Sequence, residues 1–246
     1  DIGCGSGLHS LAAWRAGAEW VLSFDYDADS VATTQKLHEL SGSPKNWTIL
    51  QGSVLDDAFL RTLPKADIVY SWGVLHHTGA MWQAIGNAAR QCHASSLFYI
   101  ALYSSDAYVN PPAEYWLKVK RAYNRAGTLK KRGMELRYAW RDLIKNQLLH
   151  GKNPLARIRQ YKQTRGMSYW HDVRDWLGGY PMEFAGNKET ESFARDRLGL
   201  ELVHLRAGHG NTEYLFRPLG ASNHWDALAQ LPKLEIPGPY APLDRK

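Results

Sequence analysis

Asp1-Ile2-Gly3-Cys4-Gly5-Ser6-Gly7 opens the chain with an acidic residue followed by three alternate glycines, at a junction between an apolar strand and a helix. A residue without Cβ lets backbone N–H groups approach a ligand and permits positive φ in a tight turn, so this spacing points to a nucleotide-binding loop. A dinucleotide loop carries its glycines at the first, third and sixth places. That pattern would require glycine at position 8, where Leu8 stands. A phosphate loop is excluded because no Gly-Lys-Ser/Thr triplet follows. The competing reading is a glycine-rich turn that binds nothing.

Downstream, the chain alternates helices with apolar strands. Leu8 to Ala16 is helical with Gly17 as its stop, and Trp20-Val21-Leu22-Ser23-Phe24-Asp25 is an apolar run ending in an acid. An acid at the tip of a second parallel strand lies at the ligand crevice, where its carboxylate can accept both hydroxyls of a ribose. Asp25 takes that role because it directly ends the run. Asp27 and Asp29 are the alternatives, and their other reading is N-terminal charge for a helix from Ser30 to Leu40. A third strand, Trp47 to Gly52, leads into Ser53-Val54-Leu55-Asp56-Asp57. A fourth, Asp67 to Trp72, runs into Gly73-Val74-Leu75-His76-His77-Thr78, which sets Ser71 and Trp72 at the crevice and His76 and His77 near an acceptor. An imidazole there can take a proton at neutral pH, or it can merely hydrogen-bond its own loop.

Taken in this order, Asp1, Gly3, Gly5 and Gly7, then Asp25, then Gly52-Ser53-Val54, then the Val-Leu-His-His run, the chain resembles the class I S-adenosylmethionine-dependent methyltransferases, in particular their type 11, ubiquinone-biosynthesis-like members. The resemblance implies that Asp1 lies near the methionine amino group, that the glycines border methionine and ribose, and that Tyr26 is an adenine-side contact. It also gives the adenine to the Ser53 hydroxyl or the Val54 backbone, although an acid is usual where Ser53 stands. Ser71 completes the cofactor set, and Trp72 is assigned to the acceptor. A fifth strand is expected from Ser96 to Tyr103, with Cys92-His93-Ala94-Ser95 in place of the family's Pro-Gly-Gly turn. The implied fold is α/β and Rossmann-like, a mostly parallel sheet with an antiparallel last strand.

Cys4 and Cys92 are too few for a disulfide framework, a structural zinc site or an iron–sulfur cluster, and no metal is expected. A reducing, cytoplasmic setting follows from that usage. No apolar run reaches the ~18 residues of a membrane span.

The net charge of +6 is concentrated. Between Asn110 and Asp175 stand 16 Lys or Arg against 5 Asp or Glu, which leaves 14 of the 30 bases and 19 of the 24 acids for the rest of the chain. This segment reads as helices. Tyr115, Val119, Tyr123 and Ala126 give one apolar face; Leu136, Trp140, Leu143, Ile144 and Leu148 give another, stopped by Gly151; Leu155, Ile158 and Tyr161 give a third, after Asn153 as cap and Pro154. Most of the cations read as solvated helix faces, but their excess suggests attraction to an anionic small molecule, a lipid surface or RNA. Tyr169 to Pro181 is dense in aromatic and polar residues, and its Gly-Gly and Tyr-Pro pairs argue for a loop, either one over the cleft with His171, Asp172 and Trp176 as acceptor contacts or a structural Ω-type loop packing its own aromatics.

A helix from Lys188 to Leu198, capped by Asn187 and stopped by Gly199, then precedes a strand pair, Leu200–Leu205 and Thr212–Arg217. The expected organisation is a cofactor-binding core (1–106), a helical basic insertion with the acceptor-side loop (107–186), a helix and strand pair completing the core (187–220), and an extended Pro-rich tail (221–246). The expected function is transfer of the S-adenosylmethionine methyl group to a small-molecule acceptor by direct displacement, with the excess of cations leaving room for an anionic one. The alternatives are an RNA-modifying methyltransferase and a non-catalytic cofactor-binding scaffold subunit. Since the first strand of such a sheet would end at the opening heptapeptide, the sequence also reads as truncated at its N-terminus.

Overall fold

The computed structural model describes residues 1–145, 151, 153–208 and 210–221. The chain divides into two units, one of Asp1–Ala113 with Pro181–Ser222 and one containing Glu114–Tyr180.

In the first unit, β1 (Val21–Asp25) and β2 (Trp47–Gln51) pair in parallel, Val21 opposite Trp47 and Asp25 opposite Gln51. A second sheet contains β3 (Ala66–Trp72), β4 (Cys92–Tyr103), β5 (Leu200–Ala207) and β6 (Asn211–Pro218), in the order β3-β4-β6-β5. β3 and β4 are parallel, while β6 runs against both β4 and β5. The expected mixed α/β sheet with a reversed last strand is therefore present. Ile2 stands between β1 and β3: it bridges Phe24 in parallel, its N–H donates to the Tyr70 carbonyl at 2.8 Å, and its carbonyl accepts the Ser71 hydroxyl at 3.0 Å. The glycine stretch thus emerges between the carboxyl ends of β1 and β3, which is where open parallel sheets bind ligands.

Period-two burial builds the core. Phe98, Ile100 and Leu102 of β4 and Tyr214 and Phe216 of β6 are buried on one face. Against them lies α4 (Met81–Ala89), whose Met81, Ala84, Ile85 and Ala88 recur at helical spacing and are equally buried. Each large side chain so buried contributes about 2 kcal/mol.

Two local expectations change in this unit. β4 starts at Cys92, so Cys92-His93-Ala94-Ser95 is no turn before a strand but an irregular part of it, and the register passes from Ala66 opposite Cys92 to Ile68 opposite Leu97. Ser96 stabilises the bulge, because its hydroxyl accepts the His93 N–H at 2.8 Å and donates to the Ala66 carbonyl at 2.6 Å. The helix after the insertion has Gly186, not Asn187, as its cap. The Asn187 side-chain oxygen instead accepts the hydroxyls of Ser104 and Tyr214, both at 2.7 Å.

The second unit is helical: α5 (Ala113–Asn124), α6 (Thr128–Ala139) continued by a π-helical turn (Trp140–Lys145), α7 (Pro154–Arg165) and α8 (Tyr169–Gly178). Its core is Tyr123, Ala139, Leu143, Tyr169, Val173 and Leu177. The face expected from Leu136 to Leu148 is corrected here. Leu136 and Trp140 are 62% and 65% exposed, whereas Glu135, Ala139 and Leu143 turn inward. Ala139 and Leu143 join the apolar core of this unit, and Glu135 beside them accepts hydrogen bonds from the Tyr123 hydroxyl (2.8 Å), Arg132 (2.8 Å) and Arg174 (3.3 Å). A carboxylate so satisfied can be buried, which lets the helix present Glu135, Ala139 and Leu143 inward instead of its leucine face. Burial by itself would raise the Glu135 pKa, but the three hydrogen bonds outweigh it and leave the carboxyl below its ordinary value. Leu148 and the tail beyond Ala221 lie outside the described residues.

The expected loop from Tyr169 is likewise a helix. The Ser168 side chain caps it by accepting the His171 N–H at 3.2 Å, and Tyr169, Val173 and Leu177 at i, i+4 and i+8 supply a buried stripe. The Gly178-Gly179 pair ends that helix without preventing it.

Candidate functional site

All three glycines of the opening stretch have positive φ: 75° at Gly3, 53° at Gly5 and 77° at Gly7. They serve different ends. A Cβ on Gly3 would fall 2.5 Å from the Val74 methyls, and one on Gly7 would lie 2.8 Å from the Thr34 methyl and 3.2 Å from the Thr34 Cα. Gly3 and Gly7 are therefore required by packing. A Cβ on Gly5 would meet nothing within 4 Å, so packing within the chain does not require this glycine, and space beside its backbone is open. The peptides on either side of it are both held, the Gly5 N–H donating to Asp25 Oδ2 at 2.9 Å and the Gly5 carbonyl accepting the Thr34 hydroxyl at 3.0 Å. Gly7 then caps α1 (Leu8–Arg15) with no side-chain hydrogen bond, which leaves the first-turn N–H groups of that helix for water or a ligand.

Asp25 ends β1 beside this loop. Its Oδ1 accepts the Asp27 N–H at 3.0 Å and its Oδ2 the Gly5 N–H, leaving each oxygen a further lone pair. Asp27 is committed elsewhere. It caps α2 (Ala28–Leu40), its Oδ2 accepting the Ser30 N–H at 2.9 Å and the Ser30 hydroxyl at 2.8 Å, and these bonds hold its carboxyl below the usual range. Asp29 lies in the first turn of the same helix.

Beneath the loop runs a buried chain of hydrogen bonds that sequence reasoning missed. The Trp47 indole N–H donates to Ser23 Oγ at 2.8 Å, Ser23 Oγ donates to Ser10 Oγ at 2.7 Å, and Ser10 Oγ donates to Asp1 Oδ2 at 2.5 Å. An indole can only donate and a carboxylate only accept, so every hydroxyl in the chain has one orientation. The Asp1 carboxylate is thereby aimed by three elements at once. The signal in the sequence was a serine inside an apolar strand, Val21-Leu22-Ser23-Phe24, where β propensity alone gives it no purpose.

The other expected cofactor residues are distributed as follows. Tyr26 is 79% exposed next to Asp25. Ser53 Oγ accepts the Leu55 N–H at 3.1 Å and retains its own proton to donate. The Val54 side chain is buried in the core and its carbonyl accepts from Asn87 at 2.8 Å, so Val54 can offer only its N–H to a ligand. Ser71 is fully buried, and its hydroxyl is spent on the Ile2 carbonyl; it ties the loop to β3 instead of facing outward. Trp72 is 41% exposed and donates its indole N–H to Glu213 at 3.2 Å.

His76 and His77 separate sharply. His76 is fully buried, with its ring 4.1 Å from that of Tyr103. His77 is half-buried, and its Nδ1 lies 2.7 Å from the Pro181 carbonyl. A carbonyl only accepts, so Nδ1 carries the proton and the basic nitrogen of the neutral ring is Nε2. Within the helical unit, His171, Asp172 and Trp176 do not converge. His171 is exposed, Asp172 accepts the Tyr161 hydroxyl of α7, and Trp176 packs on the Trp116 ring at 5.1 Å with the Lys120 ammonium 4.0 Å from its own ring.

Among the described residues no cluster of His, Cys, Asp or Glu could hold a metal ion, and no helix is long and apolar enough to cross a membrane. The loop does fit an adenosyl group with an amino-acid tail: an open position at Gly5, a ribose-competent carboxylate at Asp25, and an aimed carboxylate at Asp1 for an ammonium.

Residues 1–94 match the family described as methyltransferase domain. Similar solved structures include PKMT2 from Rickettsia typhi in complex with AdoHcy (TM-score 0.60, 11% identity, 89% of this chain and 48% of that one). An O-methyltransferase family protein from Burkholderia thailandensis is also similar (TM-score 0.51, 15% identity, 89% and 50%). So is NcsB1, an O-methyltransferase from neocarzinostatin biosynthesis, in complex with S-adenosylmethionine and 2-hydroxy-5-methyl naphthoic acid (TM-score 0.50, 14% identity, 89% and 48%). The chain thus spans about half the length of the solved structures it resembles. A search of curated proteins found no match. From its first glycine loop to the start of β4, this chain therefore matches a methyltransferase domain, and its fold is the one these solved structures share.

Proposed function

We propose that the chain transfers the methyl group of S-adenosylmethionine to a small-molecule acceptor by direct displacement. The observation that carries the reading is the division of labour among the glycines, Gly3 and Gly7 packed and Gly5 open beside the Asp25 carboxylate. When bound, the sulfonium supplies an activated methyl group, so the protein's work is to align, to exclude water and to manage one proton. Asp25 accepts the ribose hydroxyls, Gly5 and the first turn of α1 give room and N–H groups, and Asp1 holds the ammonium. Tyr26 lies against the adenine and Ser53 donates to it, with the Val54 N–H beside them. His77, basic at Nε2, takes the proton released by the acceptor, while the buried His76 packs against its ring at 4.4 Å. Trp72 is an acceptor-side contact; His171, Asp172 and Trp176 belong to the helical unit, and an acceptor role for them rests on the exposed His171.

The test is a labelled-methyl transfer assay against fractionated cell extract, with calorimetry for S-adenosylhomocysteine. Label entering small solutes supports the reading. Label entering RNA instead would establish the RNA-modifying alternative, and binding without transfer to any fraction would establish a cofactor-binding scaffold.

A further inference from the structure

The corrected rotation of α6 leaves an apolar stripe facing outward. Leu129, Leu136 and Trp140 are 90%, 62% and 65% exposed. At ~100° per residue they fall within a sector of about 40°, along roughly 16 Å of helix. Gly133 lies between them and adds no side chain. Charge is segregated about this stripe. Lys130, Arg137 and Arg141 flank it on one side and Arg132 on the other, all exposed. The two acids of the segment point the opposite way: Glu135 is buried against Arg132 and Arg174, and Asp142 is held by Arg157 at 3.3 Å and by the Tyr169 hydroxyl at 3.1 Å. Among the described residues, Lys130, Arg137 and Arg141 have no carboxylate partner. Arg141 donates to the Tyr115 hydroxyl at 3.2 Å.

We infer that the outward face of α6 and its π-helical extension docks on an anionic lipid surface, with Leu129, Leu136 and Trp140 entering the headgroup region and the flanking cations meeting lipid phosphates and carboxylates. A convex apolar ridge with a tryptophan, edged by Lys and Arg and cleared of acids, has the composition of an interfacial helix. Nucleic acid fits less well. Its binding surfaces use aromatic platforms between cations, and two leucines on the ridge would find nothing apolar in a phosphate backbone. The helical unit's excess of cations supplies the longer-range attraction. The inference does not depend on the methyl-transfer reading.

Sedimentation of the full chain with vesicles tests it. Vesicles of about three parts phosphatidylcholine to one part phosphatidylserine should retain the protein, pure phosphatidylcholine should not, and retention should fall as salt is raised. Leu136→Ser and Trp140→Ser, both at exposed positions and checked by circular dichroism, should each weaken retention at least about tenfold. Arg137→Glu should weaken it about tenfold as well. Equal retention on both vesicle types, or none on either, overturns the inference. So does retention that Leu136→Ser and Trp140→Ser leave unchanged, or binding of a single-stranded RNA oligonucleotide in the absence of vesicle binding.

Discussion

Gly5→Ala separates the energetics of folding from those of cofactor binding, because its new methyl group would touch no atom of the protein. The substitution must hold φ near 53°, and an L-residue in the left-handed region costs about 1 kcal/mol or slightly more. For a protein of this size that lowers Tm by roughly 3 °C. The methyl would stand in the space beside the Gly5 N–H and Asp25, so S-adenosylhomocysteine affinity should fall at least about tenfold, roughly 1.4 kcal/mol. Gly7→Ala supplies the contrast. Its Cβ would lie 3.2 Å from a backbone atom of α2 as well as 2.8 Å from the Thr34 methyl, so strain at φ 77° adds to overpacking for a loss of about 2 to 5 kcal/mol. Differential scanning calorimetry gives the first quantity and isothermal titration the second. If Gly5→Ala binds S-adenosylhomocysteine as the unsubstituted protein does, or destabilises as much as Gly7→Ala, Gly5 does not face the ligand and the reading of the loop fails.

Asp25→Ala should weaken cofactor binding by about 1 to 3 kcal/mol in the same titration; unchanged affinity would move the ribose contact to another residue. Ser23→Ala strands the buried Trp47 N–H and deprives Ser10 of its donor, and should cost about 1 to 3 kcal/mol of stability in urea unfolding, with a further loss of cofactor affinity through the misaimed Asp1. His77→Asn can keep the hydrogen bond to Pro181 while removing the basic nitrogen. It should lower kcat about 100-fold or more without changing cofactor affinity, whereas a purely structural histidine would leave kcat near normal. Burial lowers the Lys120 pKa from 10.5 to about 8, against an opposing pull from Asp175. The folded lysine therefore binds fewer protons than the unfolded one between these values, and stability should rise with pH across that window. Relative to Lys120→Met, the native chain should gain on the order of 3 kcal/mol between pH 7 and pH 11, and a pH-independent difference would refute the assignment.

The parallel core was legible because each of its features is local in the chain. The apolar run ending at Asp25 and the run into His76 and His77 are strand ends, and a parallel sheet gathers strand ends at one edge whatever the helices between them do. Periodicity was a weaker guide in the helical segment. Leu136, Trp140 and Leu143 satisfy a helical repeat, yet Leu143 alone of the three is buried. Likewise, Gly178-Gly179 was weighed as a helix breaker when it is a helix end.

What the sequence by itself determined is the glycine loop, its partner acid and the α/β order, because backbone conformation and strand polarity are written in neighbouring residues. Tertiary structure alone decided which glycine stays open, how Asp1 is aimed and which way α6 faces. Each depends on atoms distant in the chain: Val74 against Gly3, Trp47 through Ser23 and Ser10 to Asp1, and Tyr123 and Arg174 on Glu135. A buried polar group is tolerated only where such partners arrive, and it is folding that brings them together.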